Sequence, residues 1–355
     1  MEIILSDKLI LATIVFAISL GVAAYATWAE RKLAAFFQDR IGPNRAGVFG
    51  LLQPIADGVK LFMKEEIIPA NADKFLFIVG PSLFMLTALM TSAVIPWSTP
   101  LDLSYVGGNH VFDMQVADIN IGILYVFAVV SIGVYGIMIG GWASNNKYSL
   151  MGAIRASSQM ISYELAMGLA IIAIIMLTGH NGMSIKNIVS AQSGGLYGID
   201  ALKGLDWNIF YQPLGFILFL ICAFAECNRT PFDLPECEAE LGGGFHIEYS
   251  SMKLGLFLFA EYVNMFVSSA VIASLYFGGY NFPGLSYLPE FWQSILGAGV
   301  FLGKIFFFIF LFMWVRWTIP RFRYDQLMNL GWKVLLPLAI LNIVLTGGFM
   351  LFFSK

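Results

Sequence analysis

Two carboxylates of this sequence stand inside long apolar runs. Glu164 lies in the run over residues 159–179 and Glu261 in the run over 253–277. At membrane depth an ionisable side chain costs about 2.5–3.5 kcal/mol on insertion scales, so such a residue is a functional candidate by default. The alternative is a hydrogen-bonded structural acid near a helix end. Lys304 lies in a third apolar run, where it is either a counter-ion or a side chain that extends to the membrane interface.

A second group of carboxylates follows the fifth apolar run and surrounds a single arginine, Arg229. The six acids of this loop are Glu226, Asp233, Glu236, Glu238, Glu240 and Glu248. On a helix, Glu236 and Glu240 would face each other one turn apart, which is an unfavourable like-charge pair. Such clusters raise carboxyl pKa values or recruit arginines, so the loop is a candidate for holding protons. The alternative interpretation is a solvated acidic loop.

The loop after the first apolar run contains a third polar group with helical spacing. Four side chains share one helix face: Gln53, Asp57, Lys60 and Lys64. Four apolar side chains share the opposite face: Leu52, Ile55, Val59 and Phe62. Pro54 is well placed to start this helix. The pattern predicts an amphipathic helix that lies on the membrane surface or lines the mouth of a cavity near the headgroups.

These groups must be positioned by membrane-spanning elements. The chain has 355 residues, of which 58% are hydrophobic and 12% charged, and its mean hydropathy is +0.77. A soluble domain needs more polar surface than this. Because the apolar runs reach twenty residues or so, they fit helices better than the ten-residue strands of a barrel. The composition therefore predicts an all-α integral membrane protein, with residues 1–355 forming a single polytopic domain.

We predict about eight transmembrane helices, joined by long cytoplasmic loops that carry the amphipathic helix. The predicted spans are 8–29, 74–97, 119–142, 159–179, 212–226, 253–277, 297–319 and 332–353, the fifth of which is unusually short. Of the 20 lysines and arginines, all except five fall in or beside the loops after odd-numbered helices. Since basic residues mark the cytoplasmic side, both termini are predicted to be periplasmic.

The cysteines and histidines are not spaced as ligands. Cys222, Cys227 and Cys237 form no CxxC pair, and no two histidines are placed on a common helix face as a membrane haem would require. We therefore expect no metal and no redox centre in this chain.

Several long motifs resemble one family, the H-subunit family of bacterial NADH:quinone oxidoreductases (respiratory complex I), equivalent to mitochondrially encoded subunit 1. The motifs are Ala29-Glu30-Arg31-Lys32, Gln38-Asp39-Arg40-Ile41-Gly42-Pro43-Asn44-Arg45, Gln53-Pro54-Ile55-Ala56-Asp57-Gly58, Trp142-Ala143-Ser144-Asn145-Asn146-Lys147-Tyr148, Asn228-Arg229-Thr230-Pro231-Phe232-Asp233-Leu234-Pro235 and Pro320-Arg321-Phe322-Arg323-Tyr324-Asp325-Gln326-Leu327. The resemblance runs nearly end to end. The third and fifth motifs favour the quinone branch over the membrane subunits of energy-converting hydrogenases. Departures are confined to Gly242-Gly243 and Asn329.

The resemblance implies that quinone enters a tunnel walled by this chain and is reduced near the junction with the hydrophilic arm. FMN and iron–sulfur clusters would be held by partner subunits, and a carboxylate chain would couple reduction to proton pumping. The cavity side would comprise Arg31, Arg40, Gln53, Asp57, Lys60 and Arg229. The proton path would comprise Glu164, Glu226, Asp233, Glu236, Glu238, Glu240, Glu248 and Glu261.

The same resemblance implies a place in the bacterial inner membrane and several classes of partner. Hydrophilic-arm subunits would bind the cytoplasmic loops, small and antiporter-like membrane subunits would bind laterally, and no nucleic acid is expected. Two alternatives stay open at this point. One is a hydrogenase membrane subunit, and the other is an ion-coupled secondary transporter, for which paired broken helices would be expected.

Overall fold

Long helices make up most of the computed structural model, which describes residues 2–102, 111–179, 182–195, 204–234 and 242–353. The helices are α1 (Glu2–Phe37), α2 (Gln53–Met63), α3 (Lys74–Thr91), α4 (Gly122–Ala143), α5 (Lys147–Thr178), α6 (Ile185–Ala191), α7 (Asn208–Tyr211), α8 (Pro213–Glu226), α9 (Ser251–Tyr276), α10 (Glu290–Thr318), α11 (Tyr324–Asn329) and α12 (Leu336–Phe353). A π-helical turn, Leu330–Leu335, joins α11 to α12. Short 3-10 turns occur at Val48–Gly50, Ser92–Val94, Gly244–His246 and Leu285–Tyr287.

The strands of the described part are minimal. β1 (Leu101–Asp102) and β2 (Val111–Phe112) form one antiparallel pair, in which Leu101 lies opposite Phe112. The predicted all-α membrane class is therefore confirmed, because helices carry the architecture.

Seven helical segments in the described ranges are long and apolar enough to span a membrane. They are α1, α3, α4, α5, α9, α10 and the continuous α11–α12 segment. They correspond to seven of the eight predicted spans. The remaining one, α8, has 14 residues. At a 1.5 Å rise per residue it is about 21 Å long, which is less than the roughly 30 Å of a hydrocarbon core.

Several helices extend well beyond the predicted spans. α1 continues to Phe37 and α5 begins at Lys147, whereas the apolar runs end at 29 and begin at 159. The backbone hydrogen-bond ladder does not need apolar side chains, so it continues through the polar residues of a helix that projects past the membrane. These projecting ends place charged side chains next to the loops.

Local sequence explains where individual helices begin. The Asp73 carboxylate caps α3 by accepting hydrogen bonds from the backbone N–H groups of Phe75 and Leu76 at 3.0 and 3.2 Å. Asn146 caps α5 by accepting from the N–H of Tyr148 at 2.9 Å. Both residues satisfy donors that the first helical turn leaves without partners. In α2 and α8 a proline occupies the first turn, where its missing N–H is not needed.

The helix α9 lies at the centre of the bundle and is the most buried of the long spans. It packs against α1, α3, α8 and α10, while α4 packs against α3 and α5. The contact between α3 and α4 is close because it is made by glycines: a Cβ added to Gly80 would lie 2.8 Å from Gly140 Cα. Small residues at helix contacts let backbones approach closely when both sides are apolar.

One end of the bundle gathers most of the basic residues, and we call it the basic end. Here the start of α3 meets the end of α4, where the Asp73 N–H donates to the Ala143 carbonyl at 3.3 Å. At the same end Lys253, at the start of α9, forms an ion pair with Glu66. The C-terminal parts of α1 and α10 also lie here, because Arg316 of α10 contacts Glu30 of α1. The candidate site residues of the cavity are positioned at this end.

Candidate functional site

A buried carboxylate near the basic end holds two arginines and a tyrosine. Glu30 is 5% exposed, and Arg229 Nη1 lies 3.1 Å from its Oε2. Arg316 Nη1 lies 2.5 Å from its Oε1, and the Tyr262 hydroxyl donates to Oε2 at 2.6 Å. These residues come from α1, the segment after α8, α10 and α9. Glu30, Arg229, Arg316 and Tyr262 are hereafter the Glu30 cluster.

Arg229 is the charge at the centre of this cluster. It is 4% exposed, and its guanidinium carbon lies 4.2 Å from the centroid of the Tyr262 ring. Burial acts to lower the pKa of Arg229, but Tyr262, Glu30 and Glu261 together raise it above its ordinary value. The guanidinium therefore stays charged. Its Nε and Nη2 atoms have no hydrogen-bond partner among the described residues, so it retains donors for a further group.

The acids of the membrane interior approach one another behind this cluster. Glu261, 5% exposed, interacts electrostatically with Arg229. Glu226, at the end of α8, is equally buried and interacts electrostatically with Glu164 of α5. Cys227 interacts electrostatically with Glu226, Glu261 and Arg229, which brings these predicted residues into one region.

Two cavities give these acids different surroundings. Glu226 borders a cavity of about 40 Å3 between α4, α5, α8 and α9, which also exposes the Ser268 side chain. Such a volume accommodates a few water molecules. Glu226 Oε2 has no hydrogen-bond partner within the described part of the chain. Glu164 instead borders an open, mostly apolar cavity of about 590 Å3 on the outer face of α4 and α5, and it accepts a hydrogen bond from the Ser131 hydroxyl.

A separate polar group lies on α2. Arg31 Nη1 donates to Asp57 Oδ2 at 2.7 Å, Gln53 Nε2 donates to Oδ1 at 3.3 Å, and Lys60 Nζ lies 3.7 Å from Oδ1. Asp57 therefore contacts three of the other predicted cavity residues. Arg31 directly follows Glu30 in α1, so the Asp57 group and the Glu30 cluster are anchored to adjacent residues of one helix.

On the polar face of α2, Gln53 and Asp57 are half-buried and Asp57 contacts Arg31 of α1, whereas Lys60, Lys64 and the apolar face are exposed. The exposed fractions of Ile55, Val59 and Phe62 are 59%, 53% and 71%. The two predicted roles, a helix on the membrane surface and the lining of a cavity mouth, both stay predictions. An apolar face can lie in the membrane surface while the polar face borders the space beside α1.

A family model described as NADH dehydrogenase matches residues 9–347. The chain belongs to this family. H subunit 1 of the NADH-quinone oxidoreductase of Cytophaga hutchinsonii is 64% identical over 351 residues, which are 98% of each chain. The NADH-quinone oxidoreductase H subunit of Flavobacterium johnsoniae is 59% identical over 349 residues, 97% of this chain and 95% of that one. H subunit 2 of the Geobacter metallireducens enzyme is 51% identical over 345 residues, 94% and 92% of the two chains. The family resemblance predicted from the motifs is confirmed.

The other predicted site residues of this family member lie apart from the Glu30 cluster. Arg40 is exposed and donates from Nε to Gln38 at 2.7 Å. Asp233 is 4% exposed and accepts from Arg321 Nη2 at 2.9 Å. Glu248 accepts from Asn146 Nδ2 at 2.5 Å, near the start of α5. Glu236, Glu238 and Glu240 fall in the segment 235–241, outside the described residues.

Sequence reasoning did not include Glu30, Tyr262 and Arg316 among the site residues. A signal existed for Glu30, which is an acid followed by two basic residues at the end of an apolar run. Tyr262 is adjacent to Glu261, and in an apolar run the acid is the more conspicuous of the two residues. Arg316 has the ordinary position of a basic residue at the end of a span. Its partner in α1 is distant in sequence, so spacing could not identify the contact.

Lys304, the cysteines and the possible metal ligands are the remaining polar groups considered in the sequence. Lys304 is neither a counter-ion to a carboxylate of the described chain nor extended to an interface, because its Nζ donates to three backbone carbonyl oxygens. Cys222 and Cys227 are free and buried, and burial raises the pKa of the Cys227 thiol to about 12. Within the described ranges, no group of three or more His, Cys, Asp or Glu side chains is placed to hold a metal ion.

Proposed function

We propose that this chain is the quinone-binding membrane subunit of a proton-pumping NADH:quinone oxidoreductase, and that it couples quinone reduction to proton translocation. The observation that carries the proposal is the Glu30 cluster. It lies between the Asp57 group, on the proposed quinone side, and the acids of the membrane interior. Family membership supports the general assignment, and the relatives are named as subunits of the same kind of enzyme.

On this proposal the quinone head approaches the space between α1 and the polar face of α2. Its reduction to quinol needs two electrons and two protons. The electrons would come from an iron–sulfur cluster in a hydrophilic partner subunit, and FMN would be held in another partner. The task left to this chain is to bind the head, exclude bulk water and respond to the change of charge. Hydrogen bonds and ion pairs of the kind that suit this task join four side chains: Arg31, Gln53, Asp57 and Lys60.

The charge change would then pass inward through Arg229. Arg31 and Glu30 are adjacent in α1, so on this proposal a change in the Asp57 group would reach the Glu30 cluster through this part of the helix. Arg229 contacts Glu30 and interacts with Glu261. A change in the charge of either acid alters the field at Arg229, and with it the proton affinity of the other.

The outer end of the path would be Glu164. Its open apolar cavity faces outward from α4 and α5, in the direction in which a membrane partner would bind. An acid that faced only lipid would be costly at this depth. We infer that small and antiporter-like membrane subunits bind laterally here, and that hydrophilic-arm subunits bind the loops of the basic end.

We also propose that the basic end is cytoplasmic, that both termini are periplasmic and that the membrane is the bacterial inner membrane. The asymmetry of lysine and arginine supports this orientation. A single cysteine placed at position 2 or 355 should react with an impermeant thiol reagent in intact spheroplasts. Labelling that occurs only after lysis would reverse the topology and remove the cavity model with it.

Photoaffinity labelling of the assembled enzyme tests the quinone site. A quinone analogue with a photoreactive head should label peptides from residues 30–64, and excess unlabelled quinone should suppress this labelling. The Asp57→Asn variant should label less, whereas Glu290→Gln, at the exposed start of α10, should label like the parent. Labelling confined to other subunits, or insensitive to competing quinone, would contradict a quinone site in this chain.

Copurification distinguishes the proposal from its alternatives. The proposed enzyme should bring flavin and iron–sulfur subunits with this chain. A nickel–iron partner would favour the hydrogenase alternative, and purification without redox partners would favour a transporter. The quinone-branch names of the relatives support the first outcome.

A further inference from the structure

Lys304 makes an unusual set of contacts for a lysine at the middle of a membrane-spanning helix. Its Nζ donates to the backbone oxygens of Phe277 at 2.6 Å, Gly279 at 2.8 Å and Asn281 at 2.7 Å. An ammonium group has three N–H donors and no acceptor, so this set uses every donor. Nζ also lies 4.8 Å from the centroid of the Trp207 ring, within the range of a cation–π contact. All its neighbours are thus electron-rich.

Two glycines shape the backbone that surrounds this ammonium. Gly278 and Gly279 have φ values of +71° and +54°, a region that side chains with a Cβ rarely adopt. The turn directs alternate carbonyls, those of residues 277, 279 and 281, to one point. A Cβ on Gly278 would also lie 2.8 Å from Trp207 Cδ1. The three carbonyls and the indole face are hereafter the carbonyl cage.

The carbonyl cage is held from outside by side chains of other segments. Gln192 Oε1 accepts from the Gly278 N–H at 2.9 Å, and Asn281 Nδ2 donates to the Val189 carbonyl at 2.6 Å. The Gly279 N–H also donates to the Ala273 carbonyl at 2.8 Å. These bonds fix the carbonyl directions independently of Lys304, so the cage is pre-organised for its occupant.

The chemistry of the cage selects a particular kind of cation. The carbonyls follow the C-terminal end of α9, where the helix dipole favours positive charge. Hard divalent metal ions take about six or more oxygen ligands, twice the number that the cage offers. Three acceptors and an aromatic face instead match the three hydrogens and the charge of a primary ammonium.

We propose that the carbonyl cage is a preformed binding site for a primary ammonium ion. The tethered ammonium of Lys304 occupies this site and thereby fastens the end of α9 to α10. This inference does not depend on the quinone function. Residues 278–281 of this irregular segment are buried inside the protein, beside the middle of α10. Buried backbone carbonyls need internal hydrogen-bond partners.

Chemical rescue in the assembled enzyme tests the proposal. Lys304→Ala removes three carbons and the nitrogen, which is the heavy-atom content of n-propylammonium. The variant should melt at a lower temperature than the parent. n-Propylammonium should raise that temperature saturably, as binding to the folded state requires. Tetramethylammonium, a cation without N–H donors, should not raise it. Neither the parent nor Lys333→Ala, which removes an exposed lysine, should respond to n-propylammonium.

Two further variants keep the test decisive if the alanine variant does not assemble. Lys304→Gln retains two N–H donors for the carbonyls, whereas Lys304→Met retains much of the stem without a donor. The glutamine variant should assemble in larger amounts and melt higher than the methionine variant. The proposal is overturned if Lys304→Met or Lys304→Ala is as stable as the parent, or if both cations rescue Lys304→Ala equally.

Discussion

The charge balance of the Glu30 cluster makes Glu30→Gln a demanding test of the structure. The substitution keeps the size of the side chain but removes the anion that faces Arg229 and Arg316. Removing one partner of a buried ion pair costs about 3–5 kcal/mol, and both Glu30 and Arg229 are more than nine-tenths buried. Arg316 is 30% exposed, so solvent screens its share and reduces it to about 1 kcal/mol or less.

Tyr262→Phe provides a graded comparison. It removes one hydrogen bond to a charged acceptor, which contributes about 1.5–3 kcal/mol. The melting temperature of the assembled enzyme should therefore fall further for Glu30→Gln than for Tyr262→Phe. Glu290→Gln, at an exposed carboxylate, should leave it unchanged. Because Arg229 loses its anion in the first variant, the double variant Glu30→Gln, Arg229→Gln should lose less than the sum of its two single changes.

Heating the purified enzyme and following loss of the assembled complex gives these melting temperatures. Strict additivity of the two substitutions would refute the direct contact between Glu30 and Arg229. A Glu30→Gln enzyme as stable as the parent would refute the buried charge cluster altogether.

Three further predictions concern separate parts of the chain. Asp57→Asn should lower quinone turnover more than assembly. Its effect on assembly is small because Arg31, the partner of Asp57, is half exposed and the pair contributes about 1 kcal/mol or less to stability. Turnover equal to that of the parent would leave α2 as a membrane anchor only. Gly80→Val should reduce the amount of assembled subunit in membranes, because the Cβ of the new valine would meet the backbone of α4. Gly299→Val, at a glycine with open space around it, should not reduce this amount. Equal losses would contradict the close contact of α3 and α4. Cys227 should resist iodoacetamide at pH 8 in the folded enzyme and react after unfolding in detergent, as measured by mass spectrometry. The thiolate is the reactive form, and burial raises the pKa of the Cys227 thiol to about 12. Rapid labelling of the native enzyme would contradict that burial.

The sequence was sufficient to predict the long spans but not their ends. Apolar runs locate the part of each helix that meets lipid, and seven long helices overlap seven of the eight predicted spans. The projecting ends of α1 and α5 are amphiphilic or polar, so hydropathy does not detect them. The short α8 is an exception, because its apolar run over 212–226 predicted both its position and its shortness.

Part of the candidate site was predictable from residue type alone, because an acid in an apolar helix is a functional candidate. Glu164, Glu226 and Glu261 are acids in or beside apolar helices. The structure brings Glu226 and Glu261 into the region of Arg229, and Glu164 interacts electrostatically with Glu226. The contacts of Glu30 were not predictable, because its partners are 199 and 232 residues away for Arg229 and Tyr262. The carbonyl cage around Lys304 was equally hidden, since backbone carbonyls leave no signature in the side-chain pattern.

On the proposed function, the acids of the membrane interior couple quinone reduction to proton movement. The most direct measurement is quinone reduction and proton uptake in proteoliposomes that contain the assembled enzyme with Glu164→Gln and Glu261→Gln together. Glutamine keeps the size and hydrogen bonds of each side chain but cannot hold a titrating charge. We predict a large loss of proton uptake, accompanied by slower quinone reduction if the two are tightly coupled, while Glu290→Gln behaves like the parent. Parental values for both activities in the double variant would contradict this coupling and leave Glu164 and Glu261 as structural polar groups.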